Sequence, residues 1–275
     1  MTRSILITGC SSGIGLDAAH GLRARGWRVF ASCRQAADCD RLRAEGFESP
    51  RIDHADPASI VEGLTEVLEA TGGTLDALFN NGAWGLPALV EDTPREALEA
   101  IFHANVFGVH DLTRRVIPVM RRQGQGRIVT CSSVLGFVAA QFRGPYCATK
   151  FALEGLTDAL RLEMRGTGIH VVLIEPGPIG TAFRRNAALQ YERWIDPASS
   201  VRTDDYRFRV EKRLYRPDGP DRFELPPAAV TAKLVRALET RNPRARYFVT
   251  TPTFLAAALK RILPTRTADR LLARQ

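Results

Sequence analysis

The feature that most constrains the fold of this chain is a glycine-rich segment close to its amino terminus. An apolar run from Ser4 to Thr8 leads directly into Gly9, Gly13 and Gly15, and a helical pattern follows. In such a strand-to-helix turn the first glycine allows a sharp bend, the second lets backbone approach a ligand, and the third permits close helix packing. The helix N-terminus adds unpaired N–H donors and positive potential, so the segment predicts a diphosphate cradle. Its binding residues are expected to be Gly9, Ser11, Ser12, Gly13, Ile14 and Gly15.

Beyond this segment, short apolar runs rich in β-branched residues alternate with helical-period segments, which is typical of βαβ units. Seven strands are predicted, at Ser4 to Thr8, Arg28 to Cys33, Ser49 to Asp53, Leu75 to Asn80, Gly126 to Ser132, His170 to Glu175 and Arg246 to Thr250. Helices are predicted near 14–25, 37–45, 57–71, 94–123, 145–165 and 227–240. We therefore expect an α/β fold, a single doubly wound Rossmann-type domain over residues 1–275 with a seven-stranded parallel sheet.

Two segments break the alternation. Residues 183–225 follow the sixth predicted strand and contain no strand pattern, so we expect a substrate lid at the sheet edge where ligands bind. The tail, 253–275, places apolar residues on a rough helical stripe among five basic residues. A docked C-terminal helix is the expectation for this tail, and a peripheral membrane contact or a dimer contact is the alternative.

The composition excludes several classes of protein. With 275 residues, 45% of them hydrophobic, the chain can bury a substantial core without disulfides or metal. No apolar run approaches the ~20 residues of a membrane helix, and no signal peptide is recognised, so a cytoplasmic protein is expected. The five cysteines form no C-x-x-C pair, which predicts free thiols and no metal site. The net charge is +8, and most of the basic residues are arginines. No nucleic-acid-binding motif accompanies them.

A second motif places a phenol beside an ammonium group. Ser133 follows the fifth predicted strand, and Tyr146 and Lys150 lie four residues apart on the next predicted helix. Residues at this spacing share a helix face, so both side chains can meet one ligand. A free tyrosine has a pKa near ~10, and a nearby cation favours its phenolate. We therefore expect Lys150 to lower the pKa of Tyr146 and to make it a proton-exchanging group.

Taken together, these motifs resemble the classical short-chain dehydrogenases/reductases, whose pattern is T-G-x-x-x-G-x-G followed by a serine and Y-x-x-x-K. The resemblance covers almost the whole chain. Asn80 to Ala83 reads N-N-G-A where the family has N-N-A-G, and Pro176 to Thr181 matches the family's Pro-Gly segment. The sequence looks most like bacterial members related to hydroxysteroid and retinol dehydrogenases.

The resemblance implies both a catalytic set and a cofactor site. The catalytic residues would be Asn105, Ser133, Tyr146 and Lys150, with Asn105 holding a water behind the lysine. Asp53 would lie against the adenine ring of a nicotinamide dinucleotide. The other cofactor contacts implied are Asn81, Ile179, Thr181, Tyr146 and Lys150. The implied reaction is reversible hydride transfer between the nicotinamide and a carbonyl or alcohol carbon.

The end of the second predicted strand bears on which cofactor binds. An acid there binds the ribose 2′-hydroxyl of NAD, whereas an arginine accommodates the 2′-phosphate of NADP. This chain has Cys33 at the acidic position and Arg34 after it, which favours NADP because a guanidinium binds phosphate as a charged fork. Ser11 and Ser12 supply no second basic residue, so NAD stays open.

The expected substrate is a lipophilic carbonyl or alcohol, such as a steroid, a retinoid or a long-chain aldehyde, by resemblance to the family members named above. Apolar residues near the expected pocket agree with this choice, and carboxylate or phosphate substrates are less favoured. They are Trp84, Leu86, Leu135, Phe137, Val138, Phe142, Phe183, Tyr191 and Trp194. The alternatives are a sugar or polyol dehydrogenase and a non-catalytic dinucleotide-binding redox sensor. The family also implies a homodimer or homotetramer, through helices over 94–123.

Overall fold

A computed structural model of the chain describes residues 2–216, 219 and 221–273. Within these residues a six-stranded parallel sheet runs in the order β2-β1-β3-β4-β5-β6. The strands are β1 (Ser4–Ile7), β2 (Arg28–Ala31), β3 (Ala77–Asn80), β4 (Gly126–Cys131), β5 (Ile169–Glu175) and β6 (Arg246–Phe248). The expected Rossmann-type α/β domain is confirmed.

The expectation of a seventh strand from Ser49 to Asp53 is wrong. That segment runs beside β2 but forms only two isolated bridges there, one through Glu48 and one through Arg51. Pro50 lies between the two bridged positions and has no N–H to donate, so a continuous hydrogen-bonded ladder does not form. The regular sheet therefore ends at β2, and this segment lies along its edge.

Helices connect the strands at close to the predicted positions. They are α1 (Gly13–Arg23), α2 (Ala36–Ala44), α3 (Pro57–Thr71), α4 (Arg95–Phe102), α5 (Gly108–Gln123), α6 (Gly144–Glu163), α7 (Phe183–Trp194), α8 (Thr203–Asp205), α9 (Lys212–Leu214), α10 (Ala228–Glu239), α11 (Thr251–Ile262) and α12 (Thr265–Leu272). Instead of one regular α-helix over 94–123, a π-helical turn, His103–Phe107, separates α4 from α5. A second π turn occupies Tyr206–Glu211, and 3-10 turns occupy Val134–Gly136 and Pro197–Ser199.

Alternate strand residues point to opposite faces of the sheet, and helices cover both faces. Ile5 of β1 packs in a cluster with residues of α1 and α10. Leu6, the next residue, packs on the other face with residues of α3 and α5. β1 is flanked by β2 on one side and by β3 on the other, so the strand order reverses at β1. At such a reversal a crevice opens beyond the carboxyl ends of the strands, here β1 and β3.

The segment 183–225 forms a helical excursion between β5 and α10. It contains α7, α8 and α9, and its Tyr206 is fully buried in a cluster with Leu86 and Ile101. The excursion therefore packs on the loop after β3 and on α4, beside the crevice. Residues 217, 218 and 220 of the expected lid lie outside the described residues.

The tail after β6 forms α11 and α12. Thr253 of α11 is buried, whereas Leu255, Leu259 and Ile262 on another face of the helix are exposed. The helix is thus docked along one face only, and residues 274 and 275 of the tail lie outside the described residues. None of the described helices combines the length and hydrophobicity that crossing a bilayer requires. The five cysteines are buried free thiols.

Candidate active site

A cleft of about 850 Å³ opens at the carboxyl ends of the central strands, and most of the predicted site residues line it. Those that line it are Gly9, Ser11, Ser12, Gly13, Ile14, Asn81, Ser133, Tyr146, Lys150, Ile179 and Thr181. Four others, Gly15, Arg34, Asp53 and Asn105, are not among its lining residues. The fold thus brings the glycine turn and the Ser-Tyr-Lys group, which are far apart in the chain, into one cleft.

The glycine turn has the geometry of a backbone cradle. Gly9 and Gly13 have φ angles of +73° and +58°, in the region that side chains rarely adopt. A Cβ at Gly9 would lie 2.7 Å from the Cα of Gly82, and one at Gly13 would lie 2.9 Å from Cγ2 of Thr181. Ser12, which precedes α1, makes no side-chain capping bond, so the first N–H groups of the helix remain open to a ligand.

Asn81 stabilises the glycine turn through hydrogen bonds. Its side-chain amide donates to the carbonyl oxygens of Thr8 (3.0 Å) and Gly9 (3.3 Å). In return, Thr8 Oγ1 accepts from the backbone N–H groups of Asn81 and Gly82, both at 3.0 Å. The loop after β3 is therefore tied to the loop after β1, which fixes the shape of the glycine turn.

Tyr146 lies in the first turn of α6, with its ring against Phe183 at 5.3 Å between centroids. Burial raises the pKa of the Tyr146 phenol well above its ordinary value, and the neighbouring Cys131 adds to the rise. The hydrogen bond with Ser133 and the charge of Arg143 act in the opposite direction on this pKa. In this structure Tyr146 is consequently a protonated donor at neutral pH.

Lys150 lies one turn further along α6 and is almost fully buried. Its Nζ donates to the carbonyl oxygen of Cys131 at 2.8 Å and lies 5.6 Å from the centroid of the Tyr146 ring. Burial lowers the pKa of Lys150. Burial dominates the pKa of Tyr146, and Arg143 is a cation that lowers it. That Lys150 also lowers this pKa stays a prediction.

Asn105 lies behind these residues in the π turn between α4 and α5 and is fully buried. Its Oδ1 accepts from the Trp84 N–H (3.0 Å), and its Nδ2 donates to the Trp84 carbonyl (2.8 Å) and to Thr149 Oγ1 (3.3 Å). Asn105 therefore joins the loop after β3 to α6, the helix that carries Tyr146. Local π-helical geometry is frequent at functional sites.

Comparison with known proteins agrees with this geometry. The family model for short chain dehydrogenase matches residues 3–192. The chain belongs to the short-chain dehydrogenase/reductase family. It is 40% identical over 272 residues to the uncharacterized oxidoreductase YbbO of Escherichia coli K12, covering 99% of this chain and 94% of that one. This dehydrogenase is therefore an oxidoreductase that acts on CH–OH or C=O groups.

Human enzymes and a solved structure extend the comparison. The dehydrogenase is 32% identical to human 17-beta-hydroxysteroid dehydrogenase type 1, over 90% of this chain and 77% of that one. It is 34% identical to human retinol dehydrogenase 8, over 78% of this chain and 70% of that one. A Burkholderia phymatum short chain dehydrogenase/reductase in complex with NAD superposes with a TM-score of 0.79 at 26% identity, covering 100% and 96% of the two chains.

In this dehydrogenase the end of β2 carries exposed basic residues. Cys33 is buried, and the exposed Arg34 side chain makes no ion pair or hydrogen bond with any residue that the structure describes. Arg41 reaches back from α2 to donate to the carbonyl of Ser11 at 2.7 Å, and also pairs with Glu45 at 2.9 Å. Our sequence analysis missed Arg41, because only the orientation of α2 brings it to the glycine turn.

The predicted adenine contact, Asp53, is placed in a turn at the edge of this region. Its Oδ1 accepts from the Ala55 N–H at 3.0 Å, and its own N–H donates to Ser59 Oγ at 2.9 Å. The neighbouring His54 is partly exposed, but its Nε2 is buried without a hydrogen-bond partner among the described residues, and burial lowers its pKa to about 4. This turn therefore holds a neutral imidazole beneath the cofactor end of the cleft.

The other end of the cleft is largely apolar. Among the residues expected there, Leu86, Leu135, Val138, Phe142 and Phe183 line it. Trp84, Phe137, Tyr191 and Trp194 are not among the lining residues. Four arginines that the sequence pattern does not single out also line the cleft, namely Arg143, Arg184, Arg209 and Arg213. The signal for Arg143 was its position directly before the Tyr146 helix.

Proposed function

We propose that this dehydrogenase is an NADP-dependent enzyme that transfers hydride between the nicotinamide and a lipophilic carbonyl or secondary alcohol. The observation that carries the proposal is the juxtaposition of Ser133, Tyr146 and Lys150 with the glycine cradle along one cleft. A binding protein alone needs the cradle but has no use for a phenol and an ammonium group facing the ligand. This argues against the redox-sensor alternative.

The residues present fit a nicotinamide dinucleotide. Gly9 and Gly13 leave space that a Cβ would fill, and the open N-terminus of α1 suits a diphosphate. In the same cleft, close to Gly13, backbone at Ile179 and the hydroxyl of Thr181 are available to the nicotinamide half. When bound, the cofactor supplies the hydride chemistry, and the protein supplies orientation and charge.

The chain's own residues move and hold the proton. Tyr146 exchanges its phenolic proton with the substrate oxygen as general acid or base. Ser133 donates a hydrogen bond to the same oxygen and holds it against Tyr146. Lys150, positioned through Cys131, keeps a positive charge beside the phenol and is available to the ribose hydroxyls. Asn105 fixes the helix on which both residues stand.

The preference for NADP rests on Arg34 and Arg41. Arg34 is exposed and unpaired among the described residues, next to a position where Cys33 replaces the acid that NAD binding favours. Arg41 adds a second guanidinium beside the glycine turn, where it donates to the carbonyl of Ser11. A phosphate placed between these groups gains charge-assisted hydrogen bonds.

A substrate screen monitored by nicotinamide absorbance tests the proposal. We expect turnover with long-chain aldehydes, retinoids or steroids, and a higher kcat/KM with NADP(H) than with NAD(H). Preference for polyols would favour the sugar dehydrogenase alternative, and cofactor binding without any turnover would favour the sensor. The apolar lining makes the polyol outcome unfavourable, because buried hydroxyls need hydrogen-bond partners.

We further propose a cytoplasmic homodimer or homotetramer, with contacts through the helices over 94–123. Light scattering at micromolar concentration tests this, and a monomer mass contradicts it. The segment 183–225 is proposed as the substrate lid, since Phe183, Arg209 and Leu214 of this segment line the cleft.

The tail is proposed to face an anionic membrane surface. Leu255, Leu259 and Ile262 form an exposed stripe on α11, and Lys260 and Arg261 lie beside it without ion pairs to the residues that the structure describes. Co-sedimentation with phosphatidylglycerol vesicles, compared with phosphatidylcholine vesicles, tests this contact. Equal recovery with both would contradict it.

A further inference from the structure

One cation at the substrate end of the cleft has no partner among the residues that the structure describes. Arg143 precedes the first turn of α6 and lines the cleft close to Tyr146. The side chain is largely enclosed by protein, and burial lowers its pKa to about 10. No hydrogen bond or ion pair joins its guanidinium to any other residue in the described part of the chain. A partly buried charge of this kind loses some hydration, and a counter-ion that met it would offset that cost.

The groups around Arg143 do not neutralise its charge. The nearest groups that act on it are Arg213, which lowers its pKa further, and Cys147, Tyr146 and Asp221. Asp221 is the acid among them, but it is held by Arg216 at 2.5 Å. The acidic residue that could neutralise Arg143 is thus already committed elsewhere.

Arg246 offers an internal comparison. Its guanidinium is also partly buried, and it contacts Glu154, Glu175 and Asp158. The protein therefore surrounds one enclosed arginine with carboxylates and leaves another without any. The difference indicates that the counter-ion of Arg143 comes from outside the chain.

The backbone next to Arg143 is fixed in a rare conformation. Phe142 has a φ of +58°, which is rare for a bulky residue. The Phe142 carbonyl accepts from the Ala88 N–H at 3.1 Å, which fixes this conformation against the loop after β3. Strained residues of this kind cluster at ligand sites, where the surrounding structure imposes them. The Phe142 ring and Leu214 provide apolar surface in the same cleft.

We propose that Arg143 binds a carboxylate of the substrate, so that the substrate is a lipophilic carbonyl or alcohol that also carries a carboxylate. The inference rests on the proposed function for the position of the reacting carbon, but not for the binding itself. A carboxylate fits because a guanidinium accepts it in a planar, bidentate arrangement. This cation argues against the sequence-based expectation that carboxylate substrates are less favoured.

Calorimetric titration tests the proposal without any turnover. The probes are decanoate and decanol, which share a chain length and differ in the head group. We expect the wild-type protein to bind decanoate more tightly than decanol. Arg143→Gln should weaken decanoate binding at least about thirtyfold and leave decanol binding within a few-fold, because truncating one partner of an enclosed charge pair has a large effect. Arg143→Lys keeps the charge and should lose less affinity.

Arg122→Gln is the matched control, because it removes the same charge from an exposed position at the end of α5. It should leave the affinity for both probes unchanged. A wild-type protein that does not favour decanoate, or an Arg143→Gln variant that retains its decanoate affinity, overturns the proposal. Absence of hydride transfer in the substrate screen, with decanoate binding intact, would reject the proposed reaction and not this site.

Thermal unfolding separates ligand binding from a structural role. Removing an enclosed, unpaired cation relieves a desolvation cost, so Arg143→Gln should raise Tm by roughly 2 to 4 °C in the absence of decanoate. It should also reduce the further rise that decanoate produces in the wild type. A lowered Tm would mean that Arg143 supports the fold, and would contradict the proposal.

Discussion

The two ends of the cleft are built in different ways. At the cofactor end, Gly9 lies close to the Gly82 backbone, Gly13 lies close to Thr181, and Asn81 ties the loops after β1 and β3 together. At the substrate end, the walls are side chains of α6, α7 and the excursion after it, including the unpaired Arg143. A diphosphate presents the same shape in every dinucleotide, so rigid backbone suits it. Substrates differ, and the side chains that meet them lie on helices and loops, which evolve independently of the sheet.

The largest expected effect is on the rate of the reaction and not on binding at either end of the cleft. Tyr146→Phe removes the proton donor and should lower kcat by roughly 10²- to 10⁴-fold. Cofactor affinity, measured by fluorescence titration, should change by less than a few-fold, because the cradle is untouched. Tyr247→Phe is the control, since that hydroxyl accepts a backbone hydrogen bond outside the cleft. A Tyr146→Phe enzyme with near-native kcat would remove Tyr146 from the reaction.

A second substitution tests the charge at the cofactor end. Arg34→Ala should weaken NADP binding by about 10- to 100-fold, the range for hydrogen bonds to charged groups, and leave NAD binding nearly unchanged. Arg122→Ala provides the control for a lost surface charge. Equal loss of affinity for both cofactors would show that Arg34 acts on the fold and not on the 2′-phosphate.

A smaller effect is expected from the backbone of the cradle. Gly13→Ala places a methyl group 2.9 Å from Thr181 Cγ2, where the protein backbone would approach the cofactor. It should weaken cofactor binding about tenfold. Gly73→Ala is a matched control, because Gly73 also has a positive φ, +84°, but has open space around it. Both variants carry the conformational cost, so a Tm loss common to both is separated from a binding loss in Gly13→Ala alone.

The smallest effect concerns pH at the cofactor end. His54 has its pKa lowered to about 4, whereas an unfolded histidine titrates near ~6.5. Between these values the unfolded chain binds a proton that the folded chain does not, so stability falls as pH falls through this window. His54→Gln should reduce the fall in Tm between pH 7 and pH 5 by a few degrees. His110→Gln, at an exposed position without an ion pair among the described residues, is the control and should not change that fall. An unchanged pH dependence in His54→Gln would contradict a neutral imidazole.

Several features of the site follow from short-range patterns. Gly9, Gly13 and Gly15 predict a cradle because positive φ and close approach are properties of the local turn. Tyr146 and Lys150 predict a shared face because helix geometry places residues four apart together. The strand predicted at 49–53 does not form because Pro50 has no N–H to donate to a hydrogen-bonded ladder.

Other features depend on contacts between distant parts of the chain. Lys150 donates to the carbonyl of Cys131, and that contact exists only because α6 packs across the end of β4. Burial raises the pKa of Tyr146, and burial is a property of the assembled cleft. The position of Arg41 at the glycine turn likewise needs the packing of α2.

The amino-acid sequence alone determined the βαβ order, the glycine cradle and the spacing of the phenol and the ammonium group. These are local properties, encoded by backbone preference and periodicity within a few residues of chain. The tertiary structure alone decided which charges are paired. Whether Arg143 meets an acid depends on segments far apart in sequence, since the energy of a charge is set by everything packed around it.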